Sequence, residues 1–75
     1  MVLFEVQNGA TVRIIGFTTQ PGLAAKLRQL GLVPGDCATV VRRAPFDGPF
    51  LIAIRGREIA LGKSIAEKVQ VEAVA

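Results

Sequence analysis

The sequence predicts a mainly β protein, a small and strongly bent barrel of about five short strands with one inserted α-helix. Three observations support this prediction. The chain has 75 residues, a length that allows a single domain over residues 1–75 with a thin core. Its apolar residues alternate along several short segments bounded by glycine and proline, as in half-buried strands. One segment alone has the three- and four-residue apolar spacing of a helix.

The strands are predicted where β-branched and other apolar residues alternate with polar ones. Gly16 is expected to end the first of them, and Arg55-Gly56 is expected to connect the third and fourth as a tight hairpin. A single helical turn is predicted over residues 64–67, just before the last strand. The five predicted strands are residues 10–15, Cys37–Arg43, Phe50–Ile54, Arg57–Leu61 and Val69–Ala73.

The inserted helix is predicted to run from Pro21 to Leu30. Proline suits the first helical turn because its fixed φ fits there and because an N–H group in this turn would have no partner within the helix. Leucines at steps of four and three residues then share one helical face. Gly31 follows where a left-handed closing residue belongs, and Pro34-Gly35 has the composition of a type II turn. The loop from Leu30 to Gly35 is thus explained by helix termination, with a recognition loop as the alternative.

Five short strands and one helix are too few for two full sheets. A sheet that curls on itself protects its edges, so the pattern predicts an SH3-like β-barrel. An OB-fold is the competing architecture, although its barrel usually needs more residues. The strand and helix phases place these residues in the core: Val12, Ile14, Leu27, Leu30, Ala38, Val40, Ile52, Ile54, Ile59, Leu61, Val69 and Val71.

The strand and helix phases do not assign four large apolar residues to the core: Leu23, Leu32, Phe46 and Phe50. Phe46 and Phe50 flank a proline-bounded loop, so each is either a plug for the barrel end or an exposed protein-binding anchor. Together with the neighbouring Arg42 and Arg43, the four form the predicted partner interface. Such a patch suits a partner that has acidic residues around an apolar groove.

The composition argues against catalysis and against a resident metal. There is no His and there is one Cys, Cys37, so neither the usual general base nor a set of soft ligands is present. The carboxylates are scattered, with no close acidic pair. Cys37 is interpreted as an ordinary small strand residue, with a metal site shared between two chains left open. We therefore predict a non-enzyme without cofactor or metal within one chain.

The net charge of +3 is a mild basic bias. Arg42, Arg43, Arg55 and Arg57 bracket neighbouring predicted strands and are interpreted as a solvated edge, with an acidic protein partner as the alternative. Aromatic residues that stack on bases are few, since the chain has no Trp or Tyr, so no nucleic-acid partner is expected.

A cytoplasmic location is expected. A single cysteine allows no intramolecular disulfide, and no apolar run approaches the ~20 residues of a membrane helix. The apolar start, Met1 to Phe4, is too short for the ~7–15 apolar residues of a signal peptide.

From Leu27 onward the residues follow a recognisable pattern. It consists of Leu27-x-x-Leu30-Gly31-Leu32-x-Pro34-Gly35, then Arg43-Ala44-Pro45, Pro49, Ile59-Ala60-Leu61 and Ala66-x-x-Val69-x-Val71. Over nearly the whole chain, from about residue 9 to residue 73, the sequence resembles the ferrous iron transport protein A (FeoA) family. The chain departs from the usual family pattern in Asp47-Gly48-Pro49, where the first two residues are exchanged.

The resemblance implies an SH3-like barrel and a role as a cytoplasmic accessory of ferrous iron uptake. Its implied partner is the membrane ferrous iron transporter with a GTPase domain (FeoB-type), whose transport or nucleotide cycle it would modulate. That partner would also give it a peripheral position at the inner membrane, without direct insertion. The alternative function is a sensor or delivery protein that binds ferrous or another transition-metal ion. A small nucleic-acid-binding barrel is the second alternative.

Overall fold

A computed structural model describes residues 1–17, 21–44 and 48–74. All five strands pair antiparallel in one sheet of order β4-β3-β2-β1-β5, which confirms the mainly β prediction. The elements in chain order are a 3₁₀-helix at Leu3–Glu5, β1 at Thr11–Phe17, α1 at Pro21–Leu30, β2 at Cys37–Arg43, β3 at Phe50–Ile54, β4 at Arg57–Leu61, α2 at Lys63–Ala66 and β5 at Val69–Ala73.

The predicted bounds of α1 and of β2 to β5 are confirmed, whereas the prediction for the first strand is wrong at its end. Gly16 does not end β1, because the pairing register shifts between Ile14 and Gly16 and the ladder then continues. Gly16 pairs with Gln70 and Phe17 with Val69. A glycine inside a strand often marks such a bulge, and here it bends β1 without breaking it.

The short helix α2 begins one residue before the predicted turn. The carbonyl of Gly62 accepts hydrogen bonds from the N–H groups of Ile65 (3.1 Å) and Ala66 (3.0 Å), so Gly62 caps it and Lys63 is its first residue. Ala66 is fully buried, so this turn is packed on the core on its way into β5.

The C-terminal end of α1 is a Schellman motif. The Gly31 N–H donates to the Arg28 carbonyl (3.0 Å), and the Leu32 N–H donates to the Leu27 carbonyl (2.9 Å). Gly31 has a φ of 101°, the left-handed conformation that this motif requires and that glycine adopts without a steric cost. Helix termination is therefore confirmed as the local role of Gly31.

Leu32 is buried, with no exposed surface, so its placement on the surface was wrong. In a Schellman motif the residue after the closing glycine commonly makes a hydrophobic contact with the last helical turn. Leu32 holds that position, and Leu27, its hydrogen-bond partner, is equally buried. The helix closure therefore returns the chain into the core at Leu32.

The two predicted tight turns are both present. The Asp36 N–H donates to the Val33 carbonyl (3.1 Å) and Gly35 has a φ of 97°, which defines a type II turn. The β3–β4 hairpin closes through Arg55 and Gly56, with φ values of 53° and 76°, as in a type I′ turn. Arg55 therefore has a left-handed backbone, which arginine seldom adopts.

Eleven of the predicted core residues are buried, and Leu30 is the exception because it is only partly buried. The surface placement of Phe50 was also wrong, since this side chain is 2% exposed. Phe50 is the first residue of β3 and has the same strand phase as the inward-facing Ile52 and Ile54. It therefore lies inside, at the barrel end, as the plug interpretation of this residue requires.

Sequence reasoning used the first residues only to exclude a signal peptide and missed their place in the core. Leu3 is fully buried and Val6 is 3% exposed. The segment is held by a bridge between Val2 and Gln70 and by a hydrogen bond from the Val71 N–H to the Met1 carbonyl (2.9 Å). The N-terminal 3₁₀-helix thus packs against β5 and completes the core.

The conformation of Gly31 leads to a stability prediction. Gly31→Val is expected to lower the free energy of unfolding by about 1–3 kcal/mol, because a β-branched residue is strained at a positive φ. Gly22→Val is the matched control. Gly22 lies in α1 with open space around it, and valine is not worse than glycine in a helix. Urea unfolding followed by circular dichroism checks both; equal stability of the two variants would contradict the prediction.

Candidate functional site

A cleft of about 380 Å³ lies between the C-terminal end of α1 and the β3–β4 hairpin. Its floor is apolar, formed by the buried Ile54 and Ile59 and the half-buried Val33. Three exposed arginines stand around it, Arg28 from α1 and Arg55 and Arg57 from the hairpin. We call this site the arginine cleft; Gly31 completes its lining.

The backbone positions the three arginines from two separate elements. Arg57 opens β4 opposite Ile54, the last residue of β3, and Arg55 lies in the turn between them. Arg28 lies in the last turn of α1, and its carbonyl accepts the hydrogen bond from Gly31 that closes the helix. The helix end and the hairpin are far apart in sequence, and packing of the helix end against the sheet brings them to one cleft.

Gly31 makes room for the guanidinium of Arg57. A Cβ at residue 31 would lie 3.4 Å from Arg57 Nη2 and 3.4 Å from Ile59 Cδ1. A distance of 3.4 Å lies between a tight and an ordinary van der Waals contact, so a Cβ here would touch both the rim and the floor of the cleft. Gly31 therefore serves the helix end and the shape of the cleft together.

The arginine cleft has an excess of positive charge. Within the described part of the chain no ion pair is found for Arg28 or Arg57, while Arg55 Nη1 lies 3.5 Å from Asp36 Oδ2. The Asp36 Oδ2 atom is buried and makes no hydrogen bond among the described residues. An apolar floor with a cationic rim can bind an anionic group that is joined to an apolar one.

The structure does not bring the six predicted interface residues together on the surface. Leu32 and Phe50 are buried. Arg42 and Arg43 are exposed and pair with Leu51 and Phe50. The side chain of Leu23 and the whole of Phe46 lie outside the described residues. Of the predicted interface, Arg42 and Arg43 therefore lie on the surface, whereas Leu32 and Phe50 belong to the core.

Arg43 has a contact that sequence reasoning did not anticipate. Its guanidinium carbon lies 4.7 Å from the centre of the Phe4 ring and 5.5 Å from that of Phe50. Lys63 Nζ lies 5.6 Å from the Phe4 ring. These cation–π distances join the N-terminal segment to β2 and α2, so Arg43 helps to hold the barrel end closed over Phe50.

The four arginines that bracket the predicted strands therefore divide into two groups. Arg42 and Arg43 lie where β3 begins, whereas Arg55 and Arg57 lie where it ends. Sequence reasoning missed the third member of the second group, Arg28. The sequence gives one signal for Arg28, its position three residues before the helix-closing Gly31, which places it in the last turn of α1. No local sequence pattern shows which strands this turn packs against.

A search of residues 1–17, 21–44 and 48–74 finds no group of three or more His, Cys, Asp or Glu residues that could hold a metal ion. Cys37 is exposed as the first residue of β2, opposite Arg13 of β1. In the same part of the chain, no helix is long and apolar enough to cross a membrane.

The sheet order and the inserted helix define an SH3-like fold, and solved structures share it over almost the whole chain. Iron(II) transport protein A from Clostridium thermocellum is 34% identical, with a TM-score of 0.90, over 99% of this chain and 46% of that one. A FeoA-like protein from Clostridium acetobutylicum is 28% identical, with a TM-score of 0.89, over 100% of this chain and 87% of that one.

The FeoA domain model matches residues 1–73. The chain therefore belongs to the FeoA family, which is implicated in ferrous iron transport, as the sequence resemblance predicted. A manganese-dependent transcriptional repressor, in complex with manganese, has the same fold with a TM-score of 0.90, over 99% of this chain and 36% of that one. At 21% identity this last similarity concerns the fold alone.

Proposed function

We propose that this protein is a cytoplasmic accessory of ferrous iron uptake. Its partner is a membrane ferrous iron transporter with a GTPase domain, of the FeoB type. The protein binds the cytoplasmic part of this transporter and modulates its transport or nucleotide cycle. The single observation that carries the proposal is the FeoA match over residues 1–73. This range includes every strand of the sheet and both helices, so the whole barrel is the unit that the family shares.

The distribution of side chains supports binding as the mode of action. The buried residues of the described chain are apolar, with no buried polar or charged residue among them. Apart from the buried Oδ2 atom of Asp36, the charged side chains of the described residues therefore lie at the surface, where a partner can reach them. Residues 1–75 act in this proposal as one domain whose rigid sheet presents a charged surface, and peripheral association with the membrane follows from the partner.

Co-purification tests the proposed function. A tagged form of the protein is expressed with the transporter, and the complex is isolated from detergent-solubilised membranes with and without guanine nucleotide. We expect the transporter to be retained, to a degree that depends on the nucleotide state. The tag expressed alone with the same transporter is the control for retention by the tag. Absence of the transporter in every nucleotide state would overturn the proposal.

Direct metal binding is the second candidate function, and it makes a separate prediction. Ferrous iron is expected to show no micromolar 1:1 binding to the monomer under anaerobic conditions, because the sequence has no His and one Cys and soft or imidazole ligands usually dominate such sites. Anaerobic calorimetric titration is the measurement. Micromolar 1:1 binding by the monomer would instead favour a metal-sensing or metal-delivering protein, and loss of that binding in Cys37→Ser would identify Cys37 as a ligand.

A further inference from the structure

We propose that the arginine cleft is the docking site for an acidic segment of the partner protein. Aspartate or glutamate side chains of that segment pair with Arg28, Arg55 and Arg57, and an apolar side chain between them packs on the half-buried Val33 in the floor of the cleft. This inference rests on the proposed function and deepens it, because it states which surface binds and what chemistry it recognises.

The arrangement of charge supports a carboxylate-bearing occupant. Three guanidinium groups line one cleft, and of these three only that of Arg55 forms an ion pair with a described residue, Asp36. Like charges held close together repel, so the free protein gains from an anion that sits between them. Arginine also presents paired N–H donors that match the two oxygens of a carboxylate.

The floor of the cleft distinguishes an acidic peptide from a bare anion. Val33 is half-buried and adds apolar surface beside the buried Ile54 and Ile59, and an inorganic anion would leave this surface uncovered. The volume of about 380 Å³ is near the low end of the roughly 300–1,000 Å³ range of ligand sites. No aromatic side chain among the described residues lines it, so these residues supply no stacking platform of the kind that single-stranded nucleic acids use. A peptide with acidic and apolar residues matches both rim and floor.

Arg55 adds an independent reason. Its φ of 53° places arginine where a type I′ turn favours Asn, Asp or Gly, and strained positions of this kind concentrate at functional sites. Its distance of 3.5 Å from Asp36 Oδ2 exceeds that of a good charge-assisted hydrogen bond. Asp36 therefore leaves N–H donors of Arg55 available for a second carboxylate. The same contact shows that a carboxylate can approach this guanidinium.

The first experiment compares two charge reversals in binding to the transporter. Arg57→Glu is expected to weaken association by at least about tenfold, because it places a repulsive charge in the centre of the contact. Arg42→Glu changes the net charge equally but lies at the other end of β3, opposite Leu51, and is expected to bind nearly as the parent does. Arg28→Glu should reproduce the Arg57→Glu result from the helix side. Loss with Arg42→Glu alone would overturn the inference and favour the interface predicted from the sequence.

The second experiment needs no transporter. The isotope-labelled protein is titrated with a synthetic peptide of alternating glutamate and leucine, with its glutamine-for-glutamate counterpart, and with a single-stranded oligonucleotide. We expect salt-sensitive amide shifts at Arg28, Gly31, Arg55 and Arg57 with the acidic peptide only. Equal shifts with the glutamine peptide, stronger shifts with the oligonucleotide, or shifts confined to other surfaces would each overturn the inference.

The Arg55→Asn variant separates a binding role from a structural one. Asparagine tolerates the left-handed turn better than arginine does, so the thermal midpoint should stay or rise while binding of the acidic peptide weakens. Lower stability together with unchanged binding would contradict the inference. If the parent protein fails to retain the transporter, the proposed function fails, and the peptide titration still decides whether the cleft binds acidic segments.

Discussion

Phe50→Ala is expected to remove a large part of the free energy of unfolding of the protein. Truncating a buried Phe typically costs about 3–5 kcal/mol, and a chain of 75 residues has a total stability of about 4–11 kcal/mol by the usual per-residue values. Phe50 is 2% exposed, and its ring centre lies 6.2 Å from that of Phe4 in a tilted arrangement. Its loss therefore opens a cavity at the barrel end and removes the contacts with Phe4 and Arg43 together.

Phe4→Ala is the matched control for Phe50→Ala. Phe4 is only partly buried against the core, so its truncation removes less apolar contact area and leaves a site that solvent can fill. We expect a loss of about 1–2 kcal/mol. Urea unfolding followed by circular dichroism is the measurement, since the chain has no Trp or Tyr to report by fluorescence. Equal losses for the two variants would show that Phe50 is not the plug of the barrel end.

Leu32→Ala is the second large effect, with an expected loss of about 2–5 kcal/mol. Leu32 has no exposed surface and occupies the position at which a Schellman motif returns the chain to the core. The side chain therefore stabilises both the helix end and the packing of α1 on the sheet. Its removal should leave a cavity beside Leu27 and loosen the end of α1 from which Arg28 reaches the cleft.

Leu30→Ala is the control for this second effect. The two leucines are separated only by Gly31, yet Leu30 is partly buried and Leu32 fully buried. We expect Leu30→Ala to cost less than half as much, because less buried apolar area is lost. The same denaturant series measures both variants. A larger loss for Leu30→Ala would mean that the helix packs on the face predicted from leucine spacing alone.

Local pattern was sufficient for much of this fold. Pro21 and Gly31 mark the ends of α1 because one suits a helix start and the other a left-handed close. Alternation in β3 and β4 predicted the buried Ile52, Ile54, Ile59 and Leu61, since neighbouring side chains of a strand point to opposite faces. These features depend on residues within a few positions of one another. The resemblance to the FeoA family, which is carried by many of the same residues, also implied the SH3-like fold.

The errors lie where burial depends on segments distant in sequence. Leu3 and Val6 were not predicted in the core because their burial depends on packing of the N-terminal segment against the distant β5 and α2. Gly16 was expected to end β1, whereas pairing with Gln70 continues the strand across a bulge. Phe50 was left open between a plug for the barrel end and an exposed anchor because of the neighbouring prolines, although its strand phase with Ile52 indicated burial. Local signals of chain breaking were outweighed by sheet pairing.

The amino-acid sequence thus determined the order of the five strands and two α-helices, the places of the two tight turns and membership in the FeoA family, because each depends on short-range backbone preferences and residue spacing. Tertiary structure alone decided which charges face one another. Arg28 lies 27 residues before Arg55 in the chain, and only packing of the end of α1 against the β3–β4 hairpin places both on one cleft. Arg42 and Arg43 were grouped with Arg55 and Arg57 in the sequence analysis. They pair with the first residues of β3, whereas Arg55 and Arg57 lie at the β3–β4 turn, at the other end of this strand.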